Sequence, residues 1–292
     1  MTFSTRHTVL CAMASLAACT FFTICLAGDV PAEDKKITIE QLVSGHLESI
    51  GSAEARAASR TRFASGAVRL VGRLGSSGNL DGKGTIVSAD TRLRYSMLFS
   101  APDYPSEQMA FDGARASTGF LPKGARSNLA LFLDQQNLPL KEGLICGTLS
   151  TSWALLRLEQ LQPKLEYKGM SKIDGRQLHK VSYRQRKGSP DLKVTLYFDP
   201  STFRHIRTEY RFQIGARLGL GPNDSNAVQE SYYLLSEDFD DFRVVDGLTL
   251  PHKHKLQLSV NTSKGSVLYD WTLAIAEISH KETFDDQTFT IK

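Results

Sequence analysis

Between Ser127 and Gln162 the chain runs SNLALFLDQQNLPLKEGLICGTLSTSWALLRLEQLQ, a leucine-rich, helix-like block inside a sequence that otherwise reads as strands and turns. Ser127 and Ser152 stand where N-caps would, and Leu129, Phe132 and Leu133 recur at the i, i+3, i+4 spacing of an amphipathic helix. Gly143 and Gly147 interrupt the block and Pro163 closes it, so two or three short helices are predicted. The flanking strands alternate apolar and polar residues, which gives their sheet one apolar face in need of a cover. The helices are that cover. Two arrangements satisfy this pattern: a curved sheet capped over an apolar cavity, or a plain α+β core in which helices and sheet meet without a gap.

Before the sheet, residues 1–27 carry Arg6 as their only full charge and an apolar run from Thr8 to Ala27. This reads as a secretory signal, with cleavage before Gly28 suggested by the small residues Cys25 and Ala27 at −3 and −1, and Val30-Pro31-Ala32 as a second cleavage position. Leu16-Ala17-Ala18-Cys19 also has the form of a bacterial lipobox, which would leave Cys19 acylated, and an uncleaved anchor is a third option. Residues 28–36 form a polar leader and 37–292 one domain. The charge balance of the chain, +4 with the signs interspersed, excludes a nucleic-acid footprint. Beyond the leader the one cysteine is Cys146, so no disulfide framework supports the fold.

The domain opens on a capping box, Thr38 with Gln41, ahead of a helix to Gly51, and a short helical stretch from Ala53 to Ser59 follows. Strands are then predicted in meander order. Phe63 to Leu74 comes first, with Arg69 and Arg73 opposite Val68 and Leu70. A glycine-rich turn over 75–84 leads to Thr85–Ala89. Leu93, Tyr95, Met97 and Phe99 alternate with polar residues, and a hairpin is marked by Asp112-Gly113. After the helical block come a hairpin at Asp174-Gly175 and one at Asp199-Pro200-Ser201-Thr202. The strand from Phe203 to Ile214 is predicted to turn Ile206, Tyr210, Phe212 and Ile214 to one face and His205, Arg207 and Glu209 to the other. A loop over 215–227, strands over Gln229–Phe242 and Arg243–Pro251, and a final pair to Ile275 bring the count to ten or eleven.

The order of elements, with Phe111-Asp112-Gly113, Tyr197-Phe198-Asp199-Pro200-Ser201-Thr202 and Val245-Asp246-Gly247-Leu248-Thr249-Leu250-Pro251, resembles the LolA/LolB-like superfamily of outer-membrane lipoprotein-sorting proteins, which includes RseB/MucB and mycobacterial lipid-carrying lipoproteins. The likeness spans Thr38 to Lys292. It implies an α+β fold, a curved antiparallel sheet or half-open β-barrel with an α-helical lid inserted mid-chain over about 127–162, here with the block and the 215–227 loop as expansions. It also implies a periplasmic or membrane-attached carrier or acceptor of lipid or lipoprotein acyl chains, with transient membrane contact. A regulatory module binding an envelope protein partner is the alternative. Cavity-wall candidates are Leu70, Tyr95, Met97, Phe99, Met109, Phe111, Tyr210, Phe212, Leu256, Leu258 and Trp271. Lid candidates are Leu129, Phe132, Leu133, Leu144 and Trp153. In the family's chaperone an arginine on an early strand bonds the empty lid, a role for which Arg69 and Arg94 are the candidates.

Motifs of catalysis are missing from the sequence after the leader: no Walker A, G-x-S-x-G, H-E-x-x-H or C-x-x-C occurs. No cofactor or catalytic residue is therefore assigned. His252 and His254 share a strand face without a visible third metal ligand, and a surface or rim position is expected for them. Glu237, Asp238, Asp240 and Asp241 read as a solvated turn, and Cys146 as buried and inert.

Overall fold

The computed structural model describes residues 37–74, 78–186, 191–215, 230–263 and 265–291. The signal segment, the leader, Cys19 and most of the 215–227 loop lie outside them. The capping box forms as its spacing demands: Thr38 and Gln41 bond each other's backbone and start α1 (Ile39–Ile50), and Ser52 caps α2 (Ala53–Ala58). Twelve antiparallel strands follow: β1 (Thr61–Leu74), β2 (Gly78–Ala89), β3 (Arg92–Phe99), β4 (Ser106–Phe111), β5 (Ala116–Thr118), β6 (Lys164–Ile173), β7 (Arg176–Arg184), β8 (Leu192–Phe198), β9 (His205–Ile214), β10 (Ser231–Val245), β11 (Leu248–Thr262) and β12 (Gly265–Ser279).

They build one sheet in the order β5-β4-β3-β2-β1-β12-β11-β10-β9-β8-β7-β6. Apart from β5 and β6, strands adjacent in sequence are adjacent in the sheet, and β1 pairs with β12 to join the two meanders. The edges are β5 and β6, which do not pair with each other, so the curved sheet stays unclosed. The helical block lies between them in sequence: α3 (Asn128–Gln135), α4 (Leu138–Lys141), two short 3-10 turns and α5 (Leu158–Leu161). Its connection runs from one edge to the other. It buries Phe132, Leu144 and Trp153 in the same core as Tyr95 and Met97 of β3 and Leu256 of β11. The opposite face is covered locally, where Phe289 near the C-terminus packs on Val87.

Three differences from the sequence reading have physical causes. The stretch from Gly78 is strand: at Gly82 a Cβ would stand 2.0 Å from the Leu98 carbonyl oxygen, so glycine there permits a close approach between paired strands and does not mark a turn. The 243–251 region is divided between β10 and β11, which meet at Asp246-Gly247, both with positive φ. In β9, pairing steps from Tyr197↔Arg207 to Phe198↔His205, leaving Ile206 as the extra residue of a β-bulge. The bulge reverses the facing: Ile206 joins Leu178 and Tyr197 in an outer cluster, and His205 turns inward against Trp153.

Gly143 holds the turn that folds the helical block back on itself. Its φ is +69°, and a Cβ would lie 1.9 Å from the Ser152 carbonyl oxygen. Gly143→Ala is expected to destabilise the fold by about 2–4 kcal/mol, read as a lower urea midpoint, since strain and overlap act together. An unchanged midpoint would show that the turn is not under this constraint.

Candidate functional site

Helices and sheet are in direct contact over most of the concave face. Leu129, Phe132, Leu133, Leu144 and Trp153 of the block are all buried, as are Tyr95, Met97, Phe99, Met109, Phe111, Tyr210, Leu256 and Leu258 of the sheet. All belong to one continuous apolar cluster, with Phe212 half-buried at its edge against Tyr233. The gap between the two layers is at one end. There a cavity of about 400 Å³ lies between the start of α3 and the ends of β1 and β12, lined by Leu70, Leu80, Leu129, Tyr269 and Trp271, with Tyr104 and Glu107 at its polar side. Its volume falls within the usual range for small-molecule sites, roughly 300–1,000 Å³. Of the wall and lid candidates, Leu70, Trp271 and Leu129 line this cavity.

Glu107 is the chemically distinctive group there. It is 2% exposed, and burial pushes its carboxyl up to about 7, opposed by hydrogen bonds from Ser127 and Tyr104. The Tyr104 hydroxyl donates to it. With Arg126, Ser127 and Asn128 of the same lining, this carboxyl gives a mainly apolar pocket a polar side.

The block is held to the sheet and to α1 by polar bonds at separate points. At the cavity, the Asn128 amide donates to the Tyr269 hydroxyl at 3.1 Å. In the middle, Cys146 has a left-handed backbone, φ 67°, and its N–H donates to the Glu237 carboxylate at 3.1 and 3.2 Å. Glu237 is 0% exposed and lies 3.9 Å from His254, so the acidic stretch that reads as a solvated turn starts inside the core. His252 and His254 are likewise buried, not at the rim, because their strand face is the inner one. At the other end the Trp153 indole N–H donates to His46 Nε2 at 2.9 Å, while His46 Nδ1–H donates to the Phe203 carbonyl at 3.0 Å. Both ring nitrogens of a neutral imidazole are thereby used, and burial lowers the His46 pKa to about 4.

Neither latch candidate reaches the block. Arg69 stands exposed beside Asp81, and Arg94 bonds Gln108 and the carbonyls of Thr288 and Thr290. The arginine of β1 that does bond it is Arg62, which donates to the Thr148 carbonyl. Its neighbours Ser59 and Ala64 give no local signal that sets Arg62 apart from Arg69, so register alone reveals it. Glu107 and Glu237 were equally invisible in sequence, since each occupies an inward position of a strand whose facing is set by pairing.

The architecture is an unclosed antiparallel sheet under a helical cover. No family model matches the chain, and no curated protein matches it. Among solved structures it is similar to a LolA superfamily protein from Nitrosomonas europaea, with 11% identity, coverage of 87% of this chain and 98% of that chain, and a TM-score of 0.43. It is similar also to a domain assigned to outer membrane lipoprotein sorting from Vibrio parahaemolyticus, at 9% identity, 85% and 97% coverage and a TM-score of 0.41. A third match is a chain of the Pseudomonas aeruginosa MucA/MucB complex, at 12% identity, 82% and 99% coverage and a TM-score of 0.23. These similarities are of chain course, and what the molecule does is argued below from its own geometry.

Glu107 makes stability pH-dependent with a definite sign. Its pKa is raised in the fold, so the folded state binds more protons than the unfolded chain between about 4.5 and about 7, and stability falls as pH rises through that window. Glu107→Gln is expected to remove up to about 3 kcal/mol of that fall, measured as unfolding free energy at pH 4.5 and pH 8. A variant with the wild-type pH slope would show that Glu107 is ionised in the folded protein at neutral pH.

Proposed function

We propose that this protein is a non-catalytic carrier or acceptor that shields acyl chains of lipids or lipoproteins in the cell envelope, described here with its cover seated. The observation that carries this reading is the position of the 400 Å³ apolar cavity: it lies at the seam between the helical cover and the sheet, not within either layer. An acyl chain that starts there and moves inward displaces a helix whose buried face, Leu129, Phe132 and Leu133, has its own apolar character. Burial is worth roughly 0.8 kcal/mol per methylene, so a fourteen-carbon chain gains on the order of 10 kcal/mol before ordering costs. Export by the N-terminal segment places the carrier in the periplasm, and acylation at Cys19 would fix it to a membrane as an acceptor.

A second reading, an envelope regulatory module that binds a protein, is favoured by how completely the block fills the sheet interior elsewhere. It is favoured too by an apolar groove of about 620 Å³ on the outside of α1, lined by Ile39, Val43, Leu47, Leu158 and Leu165 beside edge strand β6. Mass spectrometry of organic extracts of the purified protein separates the two: acylated species at near-stoichiometric amounts support a carrier, and their absence from several preparations removes it. In parallel, a fluorescent fatty acid is expected to bind the wild type. Leu80→Glu, which puts a charge at a half-buried position on the cavity wall, is expected to weaken that binding at least tenfold. Equal binding by both proteins would place the acyl chain elsewhere.

A further inference from the structure

At the N-terminal end of β1, about eight residues of strand or roughly 26 Å from Leu70, is a second pocket of quite different chemistry. It has a volume of about 330 Å³ and lies between α2, the turn from β2 to β3, and the part of the helical block from Thr148 to Gln160. Four guanidinium groups border it, those of Arg56, Arg60, Arg62 and Arg157, against one carboxylate, Asp90. Asp90 is already engaged at the rim by Arg60, at 2.8 Å.

The remaining three arginines have no carboxylate within ion-pair distance among the described residues. Arg56 donates to the carbonyls of Leu47 and Gly51. Arg62 is 3% exposed and donates only to neutral acceptors: His280 Nε2, the Thr148 carbonyl and the Ser59 hydroxyl. Arg157 bonds Gln160 through Nε, while its Nη1 is buried without a partner. A second orphan lines the same pocket, the hydroxyl of Thr148, a residue only 4% exposed. Buried polar atoms normally have partners, and a buried cation without a counter-charge is costly. Unused donors and guanidinium groups without an ion-pair contact that converge on one cavity describe a receptor for an anion with several acceptor oxygens. A tetrahedral phosphate meets that need better than a carboxylate, because it brings more acceptors and a higher charge, and guanidinium groups bind it in bidentate fashion.

We propose that this pocket binds a phosphate group, free or carried on a lipid headgroup. Arg157 Nη1 and the Thr148 hydroxyl donate to its oxygens, and Arg62 supplies the buried charge behind them. The exposed rim at Arg60 and Gln160 leaves the pocket accessible from solvent. It shares no lining residue with the apolar cavity, so the proposal stands independently of the acyl-chain reading.

Titration calorimetry on the full chain tests it with three probes: inorganic phosphate, dihexanoyl phosphatidic acid, and dihexanoylglycerol, which lacks the phosphate. Binding of inorganic phosphate or of phosphatidic acid, with dihexanoylglycerol at least tenfold weaker, is the expected result. Which of the two phosphates binds more tightly tells a free ion from a headgroup. Arg157→Gln and Thr148→Val, each checked for wild-type circular dichroism, are expected to weaken the phosphate-bearing probe at least fivefold, while Leu80→Glu leaves it unchanged. Heat from neither phosphate probe, equal binding of phosphatidic acid and dihexanoylglycerol, or wild-type affinity in both pocket variants would each overturn the assignment. Absence of fatty-acid binding by the wild type, with phosphate binding intact, would count against the carrier reading alone.

Discussion

The arrangement depends on one connection. A sheet of twelve antiparallel strands whose first and last strands pair with each other has its free edges in the middle of the chain, at β5 and β6. The segment between those edges has to cross the mouth of the curved sheet, and it does so over the apolar face. A loop of polar residues there would leave that face wet, at a cost set by the buried area, about 25 cal/mol per Å². A leucine-rich helical block is the solution that also satisfies its own backbone. The cover is thus a consequence of strand order, not an accessory laid on a finished core.

Apolar contact is non-directional and would let such a block slide. Its position is specified instead by polar bonds spread along it, among them Asn128 to Tyr269, Asp134 to Thr118, Glu142 to Tyr183, Cys146 to Glu237, Thr148 to Arg62 and Trp153 to His46. Each is worth only about 0.5–1.5 kcal/mol net, more where a charge takes part, but leaving either partner buried and unpaired costs more than the bond gains. The left-handed Cys146 shows the consequence: an unfavourable backbone conformation is held because the carboxylate of Glu237 has no other donor as well placed.

Local signals in the sequence were sufficient for the parts whose structure is decided locally. Thr38 and Gln41 specify the start of α1 within one turn, Asp174-Gly175 adopts the two positive φ angles its residues favour, and the alternation from Leu93 to Phe99 survives because β3 has regular partners on both sides. What was not legible is what a partner strand decides. One extra residue at Ile206 inverts the facing of His205, and no residue near it announces the bulge. In the same way Glu107, His254 and Arg62 look like the surface residues their types usually are. Only pairing and curvature turn them inward. The site was legible as a composition, apolar wall and apolar cover, but not as a place, because every core residue fits that description equally and the cavity occupies one end of it.

These contacts limit how an acyl chain could take the place of part of the cover. Moving leucine side chains off the sheet and putting methylenes in their place trades apolar contact for apolar contact, so that part of the free energy nearly cancels. The polar bonds do not cancel, since an acyl chain has nothing to offer Glu237, His46 or Arg62. Opening is therefore favourable only as far as those groups keep or replace their partners. The cavity sits at the Asn128 end of the block, where the Asn128–Tyr269 contact is between neutral groups that water can satisfy, and the charged contact of α3, Asp134 with Arg126 and Thr118, is half-exposed. The Cys146 and Trp153 contacts, buried and without access to solvent, resist. A chain entering at that end would peel α3 first and stop where the buried contacts begin, which confines the volume gained on opening to the half of the concave face beneath α3.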